Sequence, residues 1–141
     1  MRHSLNTKIH GIGVDIVEVK RMKDAIDKHG DKFAMRILST SEYDKYLASP
    51  NKAQYLAKCW AVKEAFVKAT GTGFKGNFLW KNITYFSPSG SLGLGHPQVR
   101  YSDEIKNDSL MSNKTVHLSV SDEQSVVIAY VTIEAKTWLI M

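Results

Sequence analysis

The first clear hydrophobic pattern is an alternation between Ile9 and Val17, which has the two-residue period of a β-strand. The two faces of this predicted strand differ in character: Ile12, Val14 and Ile16 lie on one, and Gly11, Gly13 and Asp15 on the other. Asp15 is the unusual residue of the segment, because the strand is otherwise apolar and the glycines leave space around the carboxylate.

Helical periodicity follows this strand. Apolar residues at helical spacing predict a helix from about Val19 to Leu38, with Gly30 as a candidate interruption. A short helix is predicted over Glu42–Ala48, after a run of residues suited to an N-cap. A third helix is predicted over Ala53–Thr70, with Gly71 as its stop.

The second half of the chain is typical of β-structure. Strands are predicted over Ile83–Phe86, Val99–Tyr101 and Thr115–Val120, and a buried strand over Val126–Glu134. The short turn before the last strand predicts an antiparallel hairpin. Residues 87–97 are turn-rich, and residues 135–141 form an apolar ending that could pack on the body or on a neighbouring subunit. The order of strands, helices and strands predicts an α+β fold with a mainly antiparallel sheet, as one domain over residues 1–141 with its core at about 9–134.

Composition agrees with a folded domain and excludes several classes. The chain has 141 residues, of which 43% are hydrophobic and 23% charged. Its apolar runs are far shorter than the ~20 residues that a membrane-spanning helix needs, and no segment is typical of a secretory signal. The single cysteine, Cys59, excludes an intrachain disulfide and favours a reducing, cytoplasmic setting.

The formal charge of +5 favours an anionic partner, which can be a nucleic acid, a phosphorylated small molecule or an acidic protein. Basic and acidic residues alternate along the first predicted helix, so this helix is either a solvated face or a docking face with Met22 and Phe33 as apolar anchors. The interleaved acids, and the lack of a recognised nucleic-acid motif, argue against a DNA- or RNA-binding protein.

Two carboxylates are candidates for chemistry. A buried carboxylate such as Asp15 needs a cation or hydrogen-bond donors, and loop amides or a nearby lysine would suffice. Glu64 lies one helical turn after Trp60, and Lys68 lies one turn further, a spacing that also occurs in ordinary surface pairs. If the first strand and third helix are adjacent, Asp15 and Glu64 could hold Mg²⁺, which often takes one or two carboxylates together with water and phosphate oxygens.

The glycine-rich segment after the third helix and a lone histidine are weaker signals. Lys68 runs into Gly71, Thr72 and Gly73, an arrangement that can bind phosphate with help from loop amides or can simply end the helix. The segment is not a P-loop, since it lacks that motif and follows its helix. His117 lies on the polar side of its strand, where a histidine is either a ligand or a hydrogen-bonded sheet residue.

Together, three blocks resemble the holo-[acyl-carrier-protein] synthases of the 4′-phosphopantetheinyl transferase superfamily. They are Gly11-Ile-Gly-Val-Asp15-Ile-Val-Glu18 with Arg21, Ala61-Val-Lys63-Glu64-Ala-Phe-Val-Lys68-Ala-Thr-Gly71-Thr-Gly73 with Leu56-Ala-Lys58 before it, and His117-Leu-Ser-Val-Ser-Asp122. The blocks occur in the order and spacing of the family, and the similarity covers roughly residues 9–134.

The resemblance implies the transferase fold, an antiparallel sheet packed with helices, and the transfer of 4′-phosphopantetheine from coenzyme A to a serine of apo acyl carrier protein. The other product would be adenosine 3′,5′-bisphosphate, and the reaction belongs to fatty acid biosynthesis. The family also implies a Mg²⁺ cofactor and a homotrimer with active sites between subunits. The main alternative is another Mg²⁺-dependent phosphate-ester enzyme, such as a nucleotide hydrolase, that would use Asp15, Glu64 and Lys68 to activate water.

The resemblance also implies residue roles. Asp15 and Glu64 would bind Mg²⁺, and Glu64 or a metal-bound water would take the serine proton. The coenzyme A site would comprise Lys68, Gly71, Thr72, Gly73 and His117. The carrier protein would dock on the first helix through Arg21, Lys28 and Lys32.

One departure from the family pattern concerns phosphate binding. Cys59-Trp60 stands where many relatives have Arg-Phe. The sequence therefore lacks one expected phosphate contact, for which Lys58 or Lys63 could substitute.

Overall fold

A computed structural model describes residues 3–88 and 95–140 of the chain, without the side chains of residues 3, 4, 139 and 140. Its strands are β1 (His3–Glu18), β2 (Ile83–Phe86), β3 (Gln98–Tyr101), β4 (Lys114–Asp122) and β5 (Val126–Ile140). Its helices are α1 (Val19–His29), α2 (Asp31–Ile37), α3 (Thr40–Ala48), α4 (Lys52–Thr70) and α5 (Asp103–Lys106). The turn predicted over residues 87–97 lies in part outside the described residues.

Two antiparallel sheets confirm the predicted α+β class. The larger sheet has the strand order β1-β5-β4, and β2 pairs with β3 in the smaller one. The predicted hairpin is the β4–β5 pair. β5 was expected to be buried along its length, and that prediction is wrong: Val127, Ala129, Val131 and Ile133 are buried, whereas Ile128 and Tyr130 are exposed.

The exposed half of β5 belongs to a sheet face that no other described element covers. We call it the open face. Its large apolar side chains are between 39% and 69% exposed: Leu5, Ile9, Ile12, Val14, Ile16, Ile128, Tyr130 and Trp138. A register shift between Ile9 and Gly11 changes the alternation of β1, so that residues on both sides of it remain on this face.

The opposite face of the sheet packs on α4, which is the centre of the molecule. This helix contacts β1, β4 and β5 on one side and α1, α2, α3 and β2 elsewhere. It is therefore buried on most sides, and its apolar residues do not form one stripe. Gly11 and Gly13 permit the close approach of β1, because a Cβ at either position would lie 2.0 Å from a carbonyl oxygen of α4.

Local signals explain where the helices begin and end. The helix predicted over Val19–Leu38 is two helices, separated at Gly30, which has φ 63°. α3 begins at Thr40, since Ser39 and Glu42 form a capping box. α4 ends at Gly71, whose left-handed conformation has φ 80°.

Residues 135–140 of the apolar ending continue β5 and pair with residues 3–8 of β1, so this segment packs on the body of its own chain. The sequence did not predict α5 or the two 3₁₀ turns at Trp80–Asn82 and Ser109–Met111. Within the described ranges, none of the helices is both long and apolar enough to cross a membrane.

Candidate active site

β1 and α4 bring the three candidate site residues together. Lys68 Nζ lies 3.2 Å from Asp15 Oδ1 and also donates a hydrogen bond of 3.0 Å to the carbonyl oxygen of Val14. The Asp15 side chain is 15% exposed and that of Lys68 is 51% exposed, so the lysine covers a carboxylate set into the fold. The adjacency of strand and helix that a shared site requires is present.

Asp15 is only partly satisfied by the chain itself. Oδ1 accepts from Lys68, whereas Oδ2 is buried and has no hydrogen-bond partner among the described residues. Burial raises the pKa of Asp15, and the hydrogen bond and charge of Lys68, followed by the charge of Arg21, oppose this shift. A buried carboxylate oxygen without a partner is the environment in which a cation would be favourable.

Glu64 belongs to the same electrostatic cluster. Burial is the main cause that raises its pKa, and the negative charge of Asp15 raises it further, whereas Lys68 and Arg21 lower it. No group of three or more His, Cys, Asp or Glu suited to a metal ion occurs in the described part of the chain. Asp15 and Glu64 are two carboxylates in one cluster, and Mg²⁺ often takes one or two protein carboxylates with water and phosphate oxygens as its other ligands.

The segment after α4 begins beside Lys68 and is fixed by capping bonds. The backbone N–H groups of Gly71 and Gly73 donate to the carbonyl oxygen of Val67, so both amides are engaged within the chain. The Thr72 hydroxyl lies 2.8 Å from that of Thr70 and 2.7 Å from the carbonyl oxygen of Gly73. These bonds hold the segment in place, whereas a phosphate cradle would need free amides.

His117 lies elsewhere. It faces the open side of the sheet, paired with Thr132, whereas Asp15 is paired with Ala129 on the helix side. Its Nε2 lies 3.1 Å from Glu134 Oε1, and its side chain is 56% exposed. A single copy of the chain therefore does not bring His117 to Asp15 and Glu64.

A groove between α1, α2 and α4 adjoins the site. We call it the basic groove, and its lining is Arg21, Met22, Ala25, His29, Lys32, Phe33, Arg36 and Trp60. The two docking candidates Arg21 and Lys32 belong to it, and Lys28 is exposed on α1 outside this lining. His29, Arg36 and Trp60 were not selected from the sequence, although Met22, Ala25 and His29 have the spacing of one helix face.

Positions near the family departure have structural roles. Cys59, which stands at the position of the expected arginine, is fully buried. A side chain at this position therefore faces the core and not the carboxylate cluster. Lys63 is also fully buried and donates to Glu42 Oε1 at 2.6 Å, to the carbonyl oxygen of Trp80 at 2.8 Å and to that of Ile83. Lys63 is therefore not a substitute phosphate ligand, and Lys58 pairs with Asp122 at 3.4 Å.

Comparison with known proteins identifies the class. Residues 11–131 match the family model of the 4′-phosphopantetheinyl transferase superfamily, and the chain belongs to this family.

The relatives define the group within it. The chain is 38% identical to the holo-[acyl-carrier-protein] synthase of Azoarcus sp. (strain BH72), over 91% of this chain and 99% of the relative. It is 36% identical to that of Thiobacillus denitrificans, over 89% of this chain and 94% of the relative.

Solved structures agree. The crystal structure of the Neisseria meningitidis holo-[acyl-carrier-protein] synthase superposes with a TM-score of 0.79 at 37% identity, over 89% of this chain and 98% of the other. The Bacillus anthracis synthase in complex with CoA gives a TM-score of 0.70 at 29% identity, over 90% and 97%. The predicted fold and family are confirmed.

Proposed function

We propose that this protein transfers 4′-phosphopantetheine from coenzyme A to a serine of apo acyl carrier protein, releasing adenosine 3′,5′-bisphosphate, as a step of fatty acid biosynthesis. The observation that carries the proposal is the Asp15–Glu64–Lys68 cluster, in which a buried carboxylate oxygen lacks a partner in a chain with synthase relatives. The cytoplasmic location predicted from the single cysteine is part of the same proposal.

Asp15 and Glu64 would hold Mg²⁺. The support is the donor set: two partly buried carboxylates, one with an unpartnered oxygen, whose mutual repulsion a divalent cation would relieve. When bound, Mg²⁺ supplies neutralisation of charge on the pyrophosphate of coenzyme A.

Glu64 and Lys68 have separate roles in the transfer step. The serine oxygen forms a bond to the β-phosphorus of coenzyme A, and the bond from that phosphorus to the oxygen bridging to the α-phosphate breaks. Glu64 takes the serine proton, a role supported by its position in the cluster with Asp15 and Lys68. Lys68 stabilises the charge that develops on the departing phosphate, since its ammonium group is half-exposed beside the carboxylates.

The coenzyme A site comprises Lys68, Gly71, Thr72 and Gly73, with His117 supplied by a neighbouring copy. The capping bonds of the glycines support a role as a rigid wall beside Lys68, rather than as a set of free phosphate-binding amides. A relative that carries CoA in its crystal structure, the Bacillus anthracis synthase, supports this class of substrate.

The homotrimer that the family resemblance implies is part of the proposal, and two features of the fold support an assembly in which copies share their sites. The open face has apolar side chains in a continuous stripe, which is typical of an interface rather than of a solvated surface. His117 also lies on this face and, within one copy, on the other side of the sheet from Asp15, so a site that contains both residues requires a second copy. The closed symmetry of such an assembly would complete each site from two chains.

Mixing two inactive variants tests whether each active site takes residues from two chains. His117→Ala and Glu64→Gln are each expected to lose most transfer activity, whereas co-refolding them in equal amounts restores about a quarter of the sites, because one native residue comes from each chain at random. Activity that stays at the level of the separate variants would contradict sites between subunits.

The carrier protein docks on the basic groove. The groove combines an apolar floor of Met22, Phe33 and Trp60 with a basic rim that includes Arg21 and Lys32, which suits an acidic amphipathic helix. The formal charge of +5 supports electrostatic steering of both anionic substrates. Lys28 contributes to the charge of α1 outside the groove.

The reaction is tested by following coenzyme A with and without apo carrier protein. We expect coenzyme A to be consumed only when the carrier is present, and consumption to fall by orders of magnitude in Asp15→Ala and Glu64→Ala. Asp24→Asn is the control, since it removes a carboxylate from an exposed pair with Lys20. Consumption without carrier would instead indicate a hydrolase, and full activity of both site variants would refute the site assignment.

A further inference from the structure

The Arg21 side chain packs on an aromatic ring. Its guanidinium carbon lies 4.9 Å from the centroid of the Trp60 ring, across the contact between α1 and α4. Among the described residues the guanidinium forms no salt bridge, although it is exposed and lies at the rim of the basic groove. The face of an indole attracts a cation through its quadrupole, so the ring is the group that directs this side chain.

The Trp60 ring is itself fixed in place. Phe33 of α2 stacks against it at a centroid distance of 6.0 Å, and Trp80 packs against it at 4.6 Å. Phe74, in the segment after α4, stacks on Trp80 at 3.8 Å. Four aromatic rings from four parts of the chain thus make a rigid platform, and Arg21 lies over one member of it.

Arg21 lies where two functional surfaces meet. It lines the basic groove, and its charge reaches both Asp15 and Glu64 strongly enough to oppose the rise in their pKa values. A flexible arginine would lose much rotamer freedom on meeting an acidic partner, whereas one already held on a ring would lose less.

We propose that Trp60 is a positioning residue that holds the Arg21 guanidinium at the junction between the basic groove and the carboxylate pair, ready for an acidic group of the carrier protein. The inference rests on the proposed carrier docking and adds to it the residue that prepares the docking cation. Phenylalanine at this position would offer a smaller ring and a weaker cation–π contact.

A double-mutant cycle tests this pairing. Trp60→Leu, Trp60→Phe and Arg21→Ala are made singly, and Trp60→Leu is combined with Arg21→Ala. We expect Trp60→Leu to raise the KM for apo carrier protein about two- to five-fold, the range of an exposed cation–π contact. Trp60→Phe should give a smaller increase, and the KM for coenzyme A should not change. In the Arg21→Ala background, Trp60→Leu should raise the carrier KM by a smaller factor, because only the loss of its apolar contact in the basic groove remains.

One control variant and two contrary outcomes show which part of the inference has failed. Phe66→Leu removes a buried aromatic ring from the same helix, without contact to Arg21, and should leave the carrier KM unchanged. An equal effect of Trp60→Leu in both backgrounds would overturn the inference, because the ring would then act through packing alone. An Arg21→Ala variant with an unchanged carrier KM would overturn it in a different way, because the docking of the carrier at Arg21 would itself be wrong.

Discussion

Replacing Gly13 with alanine should greatly lower the transfer rate, because the added methyl group would push β1 away from α4. An ideal Cβ at Gly13 would lie 2.0 Å from the carbonyl oxygen of Ala65 and 2.8 Å from the backbone nitrogen of Ala69. Ordinary contact begins at 3.4 Å, so β1 and α4 would have to separate by roughly 1.4 Å. The obstacle is helix backbone, and no side-chain rotation relieves it.

The displacement acts directly on the carboxylate cluster. Asp15 lies two residues along β1 on the same face, and its Oδ1 is 3.2 Å from Lys68 Nζ. A separation of this size would break that hydrogen bond and move Asp15 away from Glu64. Overpacking costs about 1–3 kcal/mol of stability, and a misplacement of about 1 Å reduces turnover by about 100-fold.

Paired measurements of urea unfolding and transfer rate at saturating substrates distinguish the two effects. Ile105→Val is the matched control, because it loses about 0.5–1.5 kcal/mol from a fully buried position on α5. We expect this control to retain its transfer rate under conditions where it is folded, and Gly13→Ala to lose about 100-fold while still folded. A folded Gly13→Ala protein with the parent's transfer rate would refute the close-approach argument.

Three further predictions follow from buried polar groups. Lys63→Met should destabilise the chain by about 3–5 kcal/mol in urea unfolding, because the buried Glu42 would lose its cationic partner; a loss below about 1 kcal/mol would contradict this. Burial raises the pKa values of Asp15 and Glu64, so the folded state binds protons more tightly than the unfolded chain, and ionisation of these groups costs stability as pH rises through the raised values. Asp15→Asn and Glu64→Gln should therefore raise the melting temperature of the metal-free protein at neutral pH and give no gain at about pH 3, and a lower melting temperature at neutral pH would contradict the sign. Burial also raises the pKa of Cys59, so iodoacetamide should label this thiol only after unfolding, and rapid labelling of the native protein would count against its burial.

The sequence was most informative where one local rule decides the structure. The alternation of β1, the capping residues of α3 and the stop at Gly71 each fix a local feature within a few residues, and the structure has all three. The helical break at Gly30 was identified as possible, but the local pattern continues on both sides of it. Its φ of 63° is a backbone conformation that the periodicity of the apolar residues does not indicate.

The sequence was least informative where a side chain's direction depends on distant elements. Lys63 and Lys68 lie on one helix five residues apart, yet Lys63 is buried against α3 and β2, and Lys68 lies half-exposed beside Asp15. Only the tertiary position of α4 separates a structural lysine from a candidate phosphate ligand. Likewise, the alternation predicted that His117 faces away from its apolar neighbours, but not that Asp15 lies across the sheet from it.

The most direct test of the central claim is the intact mass of an apo acyl carrier protein after incubation with this protein, coenzyme A and Mg²⁺. The account predicts a gain of one phosphopantetheine per carrier, lost when a chelator is added and lost in Asp15→Ala and Glu64→Ala. It also predicts no gain on a carrier whose acceptor serine is replaced by alanine. A carrier mass that stays unchanged, with several carriers and a protein shown to be folded, would contradict the proposed transfer.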